Sequence, residues 1–112
     1  MLAEQPRRRH DTVTNLNAAS IAKAMDAIED GDITKALSQC KEALAKDPNN
    51  PQWLRVAGLG MLAGGQNADA AKLLAKASQF DPTMPGIYRD LGWALFLSGD
   101  SQSAAEALGK AA

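Results

Sequence analysis

With 112 residues, 12 basic and 13 acidic side chains, the chain is one domain, too short for two cores and too evenly charged to be drawn to nucleic acid or an anionic membrane. A single cysteine, Cys40, excludes an intrachain disulfide, and a single histidine, His10, leaves no metal-ligand set. No stretch approaches the ~18 apolar residues of a membrane span.

Met1 to about Thr14 is polar, contains Pro6 and carries the basic run Arg7-Arg8-Arg9-His10. Residues 1–14 are expected as a flexible, solvated tail, with the folded domain over residues 15–112. No apolar core segment follows the arginines, so the run does not read as a secretory signal. Cytoplasm is the expected location, and a periplasmic or exported one if the chain is cut from a longer protein.

From about Asn17 the pattern turns helical: Ile21, Ala24, Met25 and Ile28 fall on one stripe of a helix that ends before Gly31. Asp32 is placed to cap a second helix, whose stripe is Ile33, Ala36, Leu37, Cys40, Ala43 and Leu44 and which Asp47-Pro48 terminates. Asn50-Pro51 starts a third helix that stops at Gly64-Gly65, and a fourth runs from about Asn67 to Phe80. A fifth is predicted over 85–98 and, after Gly99, a sixth capped by Ser101. Helices this short with two- to four-residue loops lie antiparallel to their neighbours.

One spacing runs through all of them. Asp47-Pro48 and Asp81-Pro82 stand 34 apart, as do Pro51 and Pro85, Arg55 and Arg89, and Gly58 and Gly92; Gly31, Gly65 and Gly99 keep the step, and so do Ala36, Ala70 and Ala104. The repeats fall at about 17–50, 51–84 and 85–112. A period of about 34 residues is that of a stacked helix-turn-helix unit.

The second repeat offers Leu54, Ala57-Gly58, Met61, Ala70, Leu74 and Pro82, and the third Tyr88, Leu91-Gly92, Leu95, Ala104 and Leu108; the first, with Ser20, Lys23, Ala24, Ala27, Ala36, Cys40 and Pro48, matches least. In this pattern the chain resembles the tetratricopeptide repeat family. The resemblance implies an all-α fold, an α-solenoid of three antiparallel helical hairpins, whose leading helices line a concave groove that holds a peptide or helix of another protein. Carried onto this sequence, the groove is expected to use Ile21, Met25, Arg55, Leu59, Leu62, Arg89, Trp93 and Phe96, with Ile28, Glu29, Gln52 and Leu97 beside them. Family members that grip a C-terminal carboxylate use Lys and Asn at positions held here by Ile21, Met25, Val56, Gly86 and Asp90, so that clamp is absent. Trp93 and Phe96 with the two arginines suit a segment carrying apolar residues and an acidic one.

No catalytic role is expected. His10 lies far in sequence from Cys40, Asp26, Glu29, Asp30 and Asp32 crowd a helix end, and Gly58, Gly60, Gly64 and Gly65 follow no strand and form no nucleotide loop. No cofactor or metal is implied. Cys40 is expected as a small buried apolar residue, and Trp53 as packing against the preceding hairpin. Ala105, Leu108 and Ala112 are expected to be partly uncovered. Either a second copy docks there as a homodimer, or the chain is the recognition domain of a larger protein.

Overall fold

The repeat seen in the sequence is also a repeat of hydrogen bonds. The Gly31 amide donates to Ile28 O (3.1 Å) and the Asp32 amide to Ala27 O (2.8 Å); 34 residues on, Gly65 donates to Leu62 O (3.0 Å) and Gln66 to Met61 O (2.8 Å), then Gly99 to Phe96 O (3.1 Å) and Asp100 to Leu95 O (2.9 Å). This paired bonding closes a helix through a left-handed residue, and Gly31, Gly65 and Gly99 have φ of 84°, 82° and 94°, angles that cost glycine nothing.

The computed structural model describes the backbone of residues 4–111 and the side chains of residues 17–111. Six helices are seen among the described residues: α1 (Glu4–Glu29), α2 (Ile33–Lys46), α3 (Pro51–Ala63), α4 (Asn67–Phe80), α5 (Ile87–Leu97) and α6 (Ser101–Ala111). The three glycine turns join α1 to α2, α3 to α4 and α5 to α6, giving three helical hairpins in an all-α stack. Helix α1 starts at Glu4 instead of near Asn17. Pro6 lies in its first turn, where a missing amide hydrogen breaks no helical bond.

Side-chain caps fix several of these starts. Asp32 accepts from the Lys35 amide (3.3 Å), Asn50 from the Trp53 amide (3.1 Å) and Asp100 from the Ser103 amide (3.1 Å). Asp100, not Ser101, therefore caps α6, because the helix begins at Ser101 itself. The start of α5 also differs from expectation: it begins at Ile87, not Pro85. Met84 stands where Asn50 caps α3, and it offers no oxygen; the chain instead makes a further turn through Gly86, at φ 78°.

Two apolar clusters form the core. Ala24, Cys40, Trp53, Val56 and Ala57 join α1, α2 and α3. Leu54, Ala70, Ala71, Leu74, Ala77, Ile87, Leu91, Ala94 and Ala107 join α3 to α6. Leu44 and Leu73 pack on both clusters and make them continuous. Small residues set the spacing within hairpins. A Cβ added at Gly58 would stand 2.7 Å from Leu74 Cγ, and one at Gly92 would stand 2.7 Å from Leu108 Cγ, so in each hairpin the leucine occupies the room that glycine leaves.

The stack bends in a definite sense. The backbones of leading helices approach one another, α1 to α3 and α3 to α5, whereas among the described residues the backbones of α2 and α4, and of α4 and α6, stay apart. The leading helices are therefore on the inside of the curve.

Candidate functional site

On that inner side the helical period and the 34-residue repeat together arrange side chains in rows. Positions one repeat apart lie on adjacent leading helices, and positions three or four apart lie one turn along the same helix. One row is Ile21, Arg55 and Arg89; the next is Met25, Leu59 and Trp93; the third is Ile28, Leu62 and Phe96. The eight residues expected for a groove thus fall in one lattice across α1, α3 and α5.

They are not equally accessible. Ile21 and Met25 are half-buried and pack on the cluster of Ala24, Cys40 and Trp53, and Leu62 is half-buried against the second cluster. Leu59 and Arg55 are half-buried as well. Arg89 is exposed, and Trp93 and Phe96 each expose 55% of their surface. Their rings stack, with centroids 5.8 Å apart and planes 23° from parallel. Leu97, one position on, is also exposed. The inner surface therefore grades from half-buried side chains on α1 to protruding aromatic rings on α5.

The two arginines differ too. Arg55 Nε donates to Asp90 Oδ2 at 2.8 Å, an ion pair that ties α3 to α5 across the row. Among the described residues Arg89 has no acidic group within ion-pair distance. Sequence reasoning singled out Arg55 and Arg89 but missed Asp90 as a partner. The signal was available: Asp90 follows the counterpart of Arg55 by one residue, on the adjacent leading helix.

Trp53, by contrast, is buried between the first two hairpins, and Cys40 beside it is closed to solvent. Burial pushes the Cys40 thiol up to about 11, opposed in part by a backbone hydrogen bond. A thiol held protonated in this way is a packing group and not a nucleophile. Among the described residues no cluster of His, Cys, Asp and Glu is placed to hold a metal ion. No described helix is long and apolar enough to cross a membrane.

Away from the rows, a cleft of about 520 Å³ opens between α1, α2 and the start of α3, lined by Ser20, Lys23, Gln39, Glu42 and Lys46 among others. One repeat later the places of Ser20, Lys23 and Gln39 are taken by Leu54, Ala57 and Leu73, which pack in the apolar core. Among the described residues, Gln39 Oε1 is buried there without a hydrogen-bond partner. Ala105 and Leu108 are exposed on α6, as expected; Ala112 lies outside the described residues.

Compared with known proteins, residues 61–112 match the family model described as Tetratricopeptide repeat. That match takes in the end of α3 and all of α4, α5 and α6. No curated protein matches the chain.

Proposed function

We propose that this chain, which belongs to the tetratricopeptide repeat family, holds an amphipathic helix or extended segment of another protein against the rows of its leading helices. Tetratricopeptide repeats in general bind proteins and are not catalytic. The observation that carries the reading is the stacked, half-exposed pair Trp93 and Phe96 on the inner face, Trp93 in line with Leu59 and Met25 and Phe96 with Leu62 and Ile28. Large aromatic rings left in water on a curved inner surface are costly unless something covers them, and buried aromatic anchors at the centre of an interface contribute about 2 kcal/mol or more each. Two interaxial steps of about 9 Å make the row from Met25 to Trp93 about 18 Å long, the length of roughly 12 residues of helix.

The test is selection of displayed helical peptides on the wild-type protein, with the winners measured on Trp93→Ala and Phe96→Ala. Affinity should drop at least about tenfold on Trp93→Ala while the far-ultraviolet circular dichroism is unchanged. Peptides that bind both forms equally would count against the inner face.

A second reading is favoured by Leu108, which exposes 45% of its surface on α6 although its counterpart Leu74 is covered by α5. Two copies joined through this face would cover it. Light scattering over a concentration range should then show mass doubling that Leu108→Glu abolishes; a monomer at all concentrations removes this reading.

A further inference from the structure

The rows also carry a charge pattern that specifies what the bound segment must present. A Cβ built on Gly86 would meet Arg89 Nη2 at 3.0 Å and Arg55 Nη2 at 3.6 Å, so both guanidinium groups converge on the backbone of one glycine. Gly86 opens α5 and has no side chain to fill the space between them. Asp90 accepts from Arg55 Nε, which anchors that guanidinium, while its Nη2 and Arg89 Nη2 both approach the space beside Gly86. Asp90 pairs with Arg55 and not with Arg89, so the cluster Arg55, Arg89 and Asp90 keeps one net positive charge on a partly open surface.

We propose that Arg89 and Arg55 form a carboxylate-binding subsite on the flank of the apolar row, and that it takes an Asp or Glu side chain of the bound helix. This rests on the reading of the inner face as a binding surface. Guanidinium groups present paired N–H donors that match a planar carboxylate. One negative charge balances the cluster, whereas a phosphate of nearly two would be pressed against Asp90. Leu59 stands one turn along from Arg55, and Trp93 one turn along from Arg89. A helix seated on Met25, Leu59 and Trp93 therefore passes the arginines along its side, where a side chain reaches them and a chain terminus does not.

The experiment uses a displayed library of 16-residue helical peptides selected in parallel on wild type and Arg89→Gln. Wild type should enrich an apolar stripe with Asp or Glu along one flank, and Arg89→Gln should enrich the stripe without the acid. The best wild-type peptide, resynthesised with an amidated C-terminus, should lose about tenfold in affinity on its own Glu→Gln or on Arg89→Gln, with little further loss when both are changed. Arg89 is exposed, so the variant should keep its fold, and circular dichroism checks this. Three results would overturn the subsite while leaving the binding face intact: Trp93-dependent peptides with no acidic preference, loss of binding on amidation alone, or tighter binding of a phosphoserine peptide than of its glutamate form. If no enriched peptide depends on Trp93, the binding face itself is wrong, and the subsite falls with it.

Discussion

The middle and last hairpins are built on the same contact and differ in what lies beyond it. In each, a leucine of the trailing helix sits over a glycine of the leading one at 2.7 Å from where a Cβ would be: Leu74 over Gly58, and Leu108 over Gly92. Leu74 is wholly buried because α5 closes over it, whereas Leu108 is nearly half exposed. The first hairpin makes a third version, with Ala24 and Cys40 at the corresponding places, both buried. A methyl gained on one helix is matched there by bulk lost from the other. The lesson is that packing within a hairpin is set by the pair, while its energetic worth is set by the neighbouring hairpin.

The largest effect that would break this comparison is the truncation of the two leucines. Leu74→Ala should cost about 3–4 kcal/mol and Leu108→Ala about 1 kcal/mol, because only the first leaves a closed cavity; urea melts followed by circular dichroism measure both. Equal losses would mean that α5 does not protect the middle hairpin. Next, Cys40→Leu should cost about 2 kcal/mol by overpacking against Ala24, and adding Ala24→Gly should recover most of it. Additive losses in that cycle would show that the two side chains are not a matched pair.

Glycine substitutions sharpen the same contrast. Gly58→Ala should destabilise by about 1–2 kcal/mol, since Leu74 has nowhere to go, although alanine gains roughly 1 kcal/mol of helix propensity. At Gly92 the same change should be close to neutral, because Leu108 can swing toward solvent. A pH-dependent effect separates Cys40 from the two leucines. Its thiol is raised from 9.0 to about 11 in the fold, so the folded state keeps the proton longer than the unfolded chain does. That contribution is complete below about pH 9 and is lost as pH rises toward 11. By pH 10 wild type should have lost about 1 kcal/mol relative to Cys40→Ala, as measured by urea melts of both proteins at pH 8 and pH 10.

Much of this architecture is legible from spacing alone. The turn glycines, the caps at Asp32 and Asn50, the burial of Cys40 and Trp53 and the open face at Leu108 all follow from local chemistry repeated at a fixed step. The start of α5 was not legible, because Pro85 copies Pro51 while Met84 lacks the oxygen that Asn50 supplies. Pairing of Arg55 with Asp90 joins residues 35 apart and depends on how α3 and α5 cross. The polar cleft in the first hairpin was missed for a different reason. Ser20, Lys23 and Gln39 read in sequence as a weak match to the repeat, and only their coincidence in space makes a hollow.

The three glycine turns share one geometry, whereas the links between hairpins do not: Asn50 caps the first, and Gly86 adds a left-handed step to the second. Each hairpin is thus a standard part, and the links act as adjustable hinges in the design of the coil. Changing only the few residues around Asn50 or Gly86 should therefore reset how one hairpin sits on the next while leaving the glycine turns within the hairpins as they are.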